Sequence, residues 1–360
     1  GFWNDMNEPA IFYTPEGIER IKKNMKKFIE KEPSKNDVWF MRDSLRHLAN
    51  NPYDYKSFYH TVDGKKIRHD KVHNLYGYNM TRAAAEGLQE IDNNRRYLLF
   101  SRSSYIGMHR YGGIWTGDNM SWWSHLLLNI KMMPSLNMCG FLYTGADIGG
   151  FGANTTRELL LRWLAFGIFT PLMRNHSAEG TRRQECYQFE KIEQFKHLIE
   201  IRYRLIPYIY SEYMKAALQY DMYFKPLSFV YQSDEIAKEI EDQLLIGNEI
   251  MIAPVYTQNA KGRCVYLPEE MMMIKFVSDG TINTKQYEKG YHYIDTKLDE
   301  VVLFVRKGCC IPIAEPAEYV EQIDTKNMKL YGYDNSEYLL YDDDGITKEY
   351  QNENYKTMKY

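Results

Sequence analysis

One pattern in residues 1–230 limits the folds open to this chain more than any other: short strand-like segments each end at a polar residue, with helical segments between most of them. These segments end at Asp5, Arg102, Asp118, Asp147 and His176. Strands that alternate with helices in this way are typical of a (β/α) barrel or a doubly wound sheet. Because the carboxyl ends of parallel strands meet at one edge, we expect these side chains at one rim.

The first ten residues contain the earliest of these strand ends. A short apolar start leads into Asp5, and Pro9 cannot donate to a sheet ladder, so a strand should stop before it. An acid at the end of a barrel strand, beside an aromatic residue, is a common position for catalysis. The same residues could equally begin a helix, where acids near the N-terminus favour the dipole.

Five strand ends account for little more than half of a closed barrel. An eight-stranded α/β barrel needs about 250 residues. We therefore predict that residues 1–235 are the C-terminal half of a (β/α)8 TIM barrel, starting from the end of strand 4. The N-terminal barrel half, which this half needs as a partner, would precede Gly1.

Propensity and capping predict the helices. Residues 79–92 are rich in alanine and well-placed charges. Ser121 is expected to cap a helix over 121–133 that Pro134 ends. A longer helix from about residue 186 to residue 220 should be interrupted near Pro207.

The composition shifts after about residue 240 to short β-rich segments separated by Gly, Pro and Asp. Such segments predict antiparallel sheets. The run over 244–255 and the segment 275–278 are among the predicted strands. We assign residues 236–320 to a proximal β-sandwich and residues 321–360 to a small distal β domain, so that all-β C-terminal sandwich domains follow the barrel.

Charge and cysteine content argue against several classes of function. The net charge of −3 does not suit nucleic acid, and no apolar run approaches the roughly 20 residues of a membrane helix. The five cysteines are an odd number without framework spacing, which indicates free thiols in a reducing compartment, the cytoplasm. No HExxH or CxxC is present, so we predict no metal and no cofactor.

Acids at three strand ends point to carbohydrate chemistry. Two carboxyl groups that face each other across a bound sugar are the catalytic groups of a typical glycosidase. One attacks or stabilises the anomeric carbon, and the other protonates the leaving oxygen. The alternative is that these acids cap helices or pair with arginines.

Four motifs occur in an order that resembles glycoside hydrolase family 31, which includes α-glucosidases and α-xylosidases. They are Trp3-Asn4-Asp5-Met6-Asn7-Glu8, Gly117-Asp118-Asn119, Gly145-Ala146-Asp147-Ile148-Gly149-Gly150-Phe151 and Arg174-Asn175-His176-Ser177. The segment 340–345 also resembles the C-terminal domain of that family. Family members carry an N-terminal β-sandwich and the first barrel strands as well, and both would lie before Gly1.

The resemblance implies a role for each motif. Asp5 would be the nucleophile that forms a covalent glycosyl–enzyme ester. Asp118 would protonate the glycosidic oxygen and then activate water as a base. Arg102 would lie beside the nucleophile and donate to a sugar hydroxyl. The other substrate-binding residues would be Asp147 and His176, as hydrogen-bond partners of the sugar, and Trp3, Met6, Trp115 and Phe151, as apolar walls.

The expected function is that of a retaining α-glucosidase that releases glucose from the non-reducing ends of short α-glucosides, with a disaccharide or oligosaccharide as substrate. An α-xylosidase or transglucosidase of the same family is the nearest alternative. A non-catalytic carbohydrate-binding fragment is a second. A third, a sugar-phosphate barrel enzyme, would use Gly149-Gly150-Phe151-Gly152 as its phosphate loop.

Overall fold

The computed structural model describes residues 1–11, 13–28, 32–351 and 355–359. The chain divides into two compact units. The first contains residues 1–91 and 97–112, and the second contains residues 92–96 and 113–360. Each unit has parallel strand pairs of its own.

The first unit contains one parallel strand pair and two helical stretches between its strands. Its elements are β1 (Phe2–Asn4), α1 (Pro15–Lys26), α2 (Lys35–Arg46), α3 (Pro52–Tyr55), β2 (Tyr59–Val62), β3 (Lys65–Arg68), α4 (His73–Ile91) and β4 (Leu99–Ser101), with 3-10 turns at His69–Lys71 and Met108–Arg110. Strand β1 pairs in parallel with β4, with Phe2 opposite Leu99 and Asn4 opposite Ser101. The next residue after each strand therefore leaves the same end of the pair.

Side-chain caps stabilise the first turns of helices α1 and α2 in the lysine-rich segment between β1 and β4. The hydroxyl of Thr14 accepts from the backbone N–H of Gly17 at 3.0 Å, and Pro15 occupies the first turn of α1. Ser34 and Asp37 form a capping box at the start of α2. These caps supply acceptors to N–H groups that have no partner inside a helix.

The second unit continues the alternation of short parallel strands and helices. Its first elements are β5 (Gly113–Trp115), α5 (Trp123–Met138), β6 (Thr144–Gly145), β7 (Asp147–Ile148), α6 (Arg157–Gly167), β8 (Arg174–Asn175) and α7 (Ile192–Gln219), with a 3-10 turn at Cys186–Gln188. Strand β5 pairs in parallel with β6, and β7 with β8. The predicted alternation is confirmed, with strands of only two or three residues.

Two prolines lie inside helices that they were expected to end or interrupt. Pro134 lies within α5, which runs on to Met138, and Pro207 lies within α7. Both prolines are buried. A proline removes one hydrogen bond from a helix, and burial of neighbours such as Ile130 and Met133 keeps α5 continuous.

Within the described residues, no helix is long and apolar enough to cross a membrane.

Antiparallel strands follow α7. The elements are β9 (Phe224–Pro226), α8 (Leu227–Val230), α9 (Glu235–Lys238), β10 (Leu244–Ile246), β11 (Ile250–Ile252), β12 (Gly262–Leu267), β13 (Met271–Phe276), β14 (Ile282–Tyr287), β15 (Gly290–Asp295), β16 (Val301–Arg306), β17 (Cys310–Ile313), β18 (Lys329–Gly332), β19 (Glu337–Tyr341) and β20 (Tyr355–Lys359), with 3-10 turns at Val320–Gln322 and Lys348–Gln351. Six strands form one sheet in the order β14-β13-β16-β11-β10-β9. Three antiparallel pairs accompany it: β12 with β15, β17 with β18, and β19 with β20.

The strand predicted over 244–255 is a hairpin, β10 and β11. The chain reverses at Gly247, where φ is +61°. A side chain at that position would place its Cβ 2.0 Å from a carboxylate oxygen of Glu212, so the turn needs glycine. The segment predicted over 275–278 begins within β13, which ends at Phe276.

The main core of the second unit joins its helices to its β-strands. One buried cluster contains Leu160 and Trp163 of α6, Leu198 of α7, Leu303 of β16 and Ile311 of β17. Helices α6 and α7 are therefore packed against the antiparallel strands, and their positions are fixed by the same apolar contacts.

Candidate active site

Strand pairing in the first unit brings Asp5 and Arg102 together. Each residue directly follows one strand of the parallel pair β1 and β4. The Nη1 of Arg102 lies 3.3 Å from the Oδ1 of Asp5. The Asp5 side chain keeps 34% of its surface exposed, compared with 20% for Arg102. The arrangement is a partly exposed carboxylate beside a fixed cation.

Glu8 holds that cation in place. The Nε and Nη2 of Arg102 donate to the two carboxylate oxygens of Glu8, at 2.9 and 3.1 Å. Bidentate pairing fixes the plane of a guanidinium, so one nitrogen remains directed to Asp5. Burial and the negative charge of Glu8 raise the pKa of Tyr55.

Asn7 joins the loop after β1 to the loop after β4. Its side chain is fully buried, with 0% exposed. The Nδ2 of Asn7 donates to the hydroxyl of Ser101 at 2.8 Å, and its Oδ1 accepts from the backbone N–H of Ser103 at 3.1 Å. The two loops that carry Asp5 and Arg102 are thus tied together through a buried amide.

Exposed apolar groups flank Asp5. Trp3 stacks on Phe100 with an interplanar angle of 7°. Met6 has φ of +54°, and its backbone N–H donates to the Oδ1 of Asp5 at 2.7 Å. Trp3 and Met6 both remain exposed, which leaves apolar surface on either side of the carboxylate along the chain.

In the second unit, the loop that carries Asp118 runs against the loop after β7. The backbone N–H groups of Phe151 and Gly152 donate to the carbonyl of Asn119 at 2.7 and 3.0 Å. The prediction that Ser121 caps α5 is wrong: the N-cap residue is Trp122, and the hydroxyl of Ser121 donates to the carbonyl of Gly152 at 3.0 Å. Asp118 itself is exposed.

Gly150 makes this close approach possible. Its φ is +90°, and a Cβ there would lie 2.4 Å from the backbone nitrogen of Ser121. We expect Gly150→Ala to lower the free energy of unfolding by about 3 kcal/mol or more, because strain at positive φ adds to a backbone clash. Urea unfolding followed by fluorescence measures the change.

Gly180→Ala is the matched control for that prediction. Gly180 has a similar φ of +81°, and apart from its chain neighbours no atom of the described residues lies within 4 Å of the added Cβ. Only the positive-φ strain applies there, about 1 kcal/mol. Equal losses in the two variants would show that the loop contact at Gly150 does not determine stability.

Asp147 is buried beneath an arginine. Its side chain is 0% exposed, and the Nη2 of Arg174 donates to its Oδ1 at 2.5 Å. The same guanidinium lies over the Trp115 ring, 5.3 Å from the centroid. Strands β7 and β8 place Asp147 directly opposite Arg174. Asp147 and Trp115 are thus brought together through a residue that was not predicted as a site residue.

The structure also pairs Phe151 with His176. Their ring centroids lie 5.3 Å apart. Buried Gln184 holds the surrounding loops, because its Nε2 donates to the carbonyls of Gly150 and His176, both at 3.1 Å, and to the Oδ1 of Asn175 at 3.0 Å. Gln184 was missed, since one glutamine in an irregular segment gives no periodic or motif signal.

The described residues contain no group of three or more His, Cys, Asp and Glu side chains arranged to hold a metal ion. The structure groups the predicted site residues into three sets: Asp5 and Arg102 with Trp3 and Met6 nearby in the chain, Asp147 with Trp115, and Phe151 with His176. Asp118 lies on the loop that contacts the Phe151 loop.

Two family profiles match the chain. The family 31 glycosyl hydrolase TIM-barrel domain matches residues 1–212, and the C-terminal domain of the same family matches residues 220–311. The predicted fold class, a TIM barrel followed by C-terminal β-structure, is thereby confirmed.

Named relatives agree with these matches. Alpha-glucosidase 2 of Bacillus thermoamyloliquefaciens is 32% identical over 99% of this chain and 41% of its own length. A glucosidase II alpha subunit is similar in structure, with a TM-score of 0.76 at 26% identity, over 99% of this chain and 36% of that one. A family 31 α-xylosidase from Xanthomonas citri has a TM-score of 0.66 at 26% identity, over 77% of this chain and 31% of that one.

The chain spans about two fifths or less of each of these relatives. The barrel profile nevertheless covers more than half of the chain, and the C-terminal profile follows it directly. The four ordered motifs that first suggested the family all lie within the region that the barrel profile matches. The chain belongs to glycoside hydrolase family 31.

Proposed function

We propose that the protein carrying this chain is a retaining α-glucosidase that releases glucose from the non-reducing ends of short α-glucosides by double displacement. The observation that carries the proposal is the partly exposed carboxylate of Asp5, 3.3 Å from an arginine that Glu8 holds in place. A carboxylate is the nucleophile that such a mechanism needs, and the Arg102 guanidinium lies within ion-pair distance of the one at Asp5.

Asp5 and Asp118 have different roles in the proposed reaction. Asp5 attacks the anomeric carbon and forms the glycosyl ester while the glycosidic bond breaks. Asp118 gives its proton to the leaving oxygen and then takes one from the attacking water. The exposure of Asp118 on a glycine-containing loop supports a group that exchanges protons with substrate and water.

The substrate-binding roles remain proposals that follow from family membership and local geometry. Exposed Trp3 and Met6 beside Asp5 are suited to form an apolar wall for a pyranose ring. The tilted ring pair of Phe151 and His176 offers a second wall with a hydrogen-bonding edge. Arg102 is proposed to donate to a hydroxyl, while Asp147 and Trp115 surround the Arg174 guanidinium.

The proposal includes partners and location. The substrate is a disaccharide or short oligosaccharide, and an N-terminal barrel half with a β-sandwich completes the protein. The domain limits at residues 235 and 320 stay predictions. The odd number of cysteines supports the cytoplasm as the compartment.

The test is the hydrolysis of an α-glucoside by the full-length protein, followed by proton NMR. We expect α-glucose as the first-formed product, because two displacements at one carbon restore its configuration. An aryl α-glucoside should be cleaved faster than the matching aryl α-xyloside. β-Glucose as the first product would rule out double displacement.

An α-xylosidase is the second candidate, favoured by the structural similarity to the Xanthomonas citri enzyme. Xylose lacks the hydroxymethyl group of glucose, so the aryl glycoside pair separates the two activities. A transglucosidase would instead transfer the glucosyl group to an added sugar, and chromatography of the products would reveal a longer saccharide.

A further inference from the structure

A cleft in the second unit lies apart from the residues proposed for catalysis. It has a volume of about 630 Å³, within the range of small-molecule sites. The polar cleft, as we call it, is lined by Glu158, Arg162, Gln194 and Lys275 and by the segments 259–261 and 295–300. Two of its walls come from helices α6 and α7, and the others from loops next to β12 and β15.

Arg162 anchors the cleft from beneath. Its side chain is only 2% exposed, and its two terminal nitrogens donate to the carbonyls of Ala260, Thr296 and Lys297 at 2.9 to 3.0 Å. Burial lowers its pKa, partly opposed by the acids around it. The Nε of Arg162 is also buried, and it has no hydrogen-bond partner within the part of the chain that the structure describes.

Gln194 supplies a buried hydrogen-bond acceptor to the same cleft. The Oε1 of Gln194 is buried and likewise has no hydrogen-bond partner in the described ranges. A buried polar atom without a partner costs about 1–3 kcal/mol. One donor and one acceptor in the same cleft therefore favour a ligand that both accepts and donates hydrogen bonds.

Several charged side chains of the polar cleft already have partners within the protein. Glu300 pairs with Lys275 at 2.8 Å and accepts from the backbone N–H of Lys297 at 2.9 Å. Glu158 accepts from the backbone N–H of Asn259 at 2.6 Å. Four acids (Glu158, Asp295, Asp299, Glu300) balance four bases (Arg162, Lys261, Lys275, Lys297). Balanced charge favours neither an anion nor a cation.

We propose that the polar cleft binds a neutral polyhydroxylated small molecule, such as a monosaccharide or a polyol, whose hydroxyl groups pair with the Nε of Arg162 and the Oε1 of Gln194. A hydroxyl both donates and accepts, so a polyhydroxylated molecule can supply an acceptor for Arg162 and a donor for Gln194. An anion such as sulfate would have no donor for the Oε1 of Gln194 and would meet four carboxylates.

Hydrogen–deuterium exchange of the intact protein tests this proposal, with glucose and sorbitol as probes and sulfate as the anionic control. We expect both probes to slow exchange in the segments 259–261 and 295–300. The Asp5→Asn variant should show the same protection. Because binding is read without turnover, failure here is distinguishable from failure of the proposed hydrolysis.

Gln194→Leu removes the acceptor and leaves the Arg162 anchor in place. We expect the probe concentration for half protection to rise on the order of tenfold, which corresponds to one lost hydrogen bond. The matched control is Gln219→Leu at the exposed end of the same helix, outside the polar cleft, which should leave protection unchanged.

Three results would overturn the proposal. One is no protection of the two segments by either probe, which would mean that water fills the polar cleft. Another is full protection in Gln194→Leu. The third is protection by sulfate equal to that by glucose, which would assign the polar cleft to anions.

Discussion

Replacing Asp5 by asparagine is expected to lower kcat/KM for α-glucoside hydrolysis by at least about 10⁴-fold, because the amide cannot form the glycosyl ester. The fold should survive. Asparagine keeps an oxygen that can accept from the backbone N–H of Met6, as Asp5 does at 2.7 Å. Arg102 keeps its two bonds to Glu8, and the partly exposed ion pair that is lost contributes about 1 kcal/mol or less.

The measurement uses the full-length protein with an aryl α-glucoside, together with mass spectrometry after exposure to a fluorinated glucosyl inhibitor that traps the ester. The wild type should carry a sugar adduct on the peptide that contains Asp5, and the variant should carry none. Asp63→Asn is the control, since Asp63 is exposed at a turn with φ of +48°, a conformation that asparagine tolerates. Near-normal kcat in the Asp5 variant would remove Asp5 as nucleophile.

The pairing of Asp5 with Arg102 could be anticipated from the sequence. Both residues follow short apolar segments, and ends of parallel strands meet at one edge of a sheet. Their neighbour relation in space depends on β1 pairing with β4, across almost one hundred residues. The alternation of strands and helices predicted one shared rim, and the resemblance to family 31 implied that Arg102 lies beside Asp5.

The positions of the two prolines within helices, and the contacts of the polar residues Gln184 and Arg174, could not be predicted from the sequence. Pro134 and Pro207 carry strong local signals to end a helix, yet both are buried within continuous helices. Tertiary packing outweighs one lost hydrogen bond there. Gln184 joins loops, and Arg174 pairs with Asp147 across strands β7 and β8. No spacing in the sequence indicates such contacts.

Gly150 was only partly predictable: the sequence indicated a constraint at this position but not its cause. Its position in a glycine pair suggested a phosphate loop. The actual requirement is the backbone of Ser121, 2.4 Å from where a side chain would begin. A glycine in the sequence shows that some constraint exists, but the atom that imposes it belongs to a residue 29 positions earlier (150 − 121). The constraint therefore appears only after the loops are assembled.

Asp118→Ala is expected to reduce hydrolysis of glucosides with poor leaving groups by about 10²–10⁴-fold, the usual contribution of general acid catalysis. Aryl glucosides with activated leaving groups should form the glycosyl ester at near-normal rates, because they need no proton. The ester should then accumulate, since water has no base to activate it. The exposed Asp334→Ala serves as control and should behave as wild type.

Added azide distinguishes an acid/base residue from a merely structural one. Azide attacks without giving up a proton, so it should restore turnover of the aryl glucoside by Asp118→Ala and leave the Asp5→Asn variant inactive. The product should be the α-glucosyl azide, because azide enters in the second of two inversions. If Asp118→Ala loses activity without rescue, or keeps full activity on poor leaving groups, another residue supplies the proton and Asp118 has no part in the chemistry.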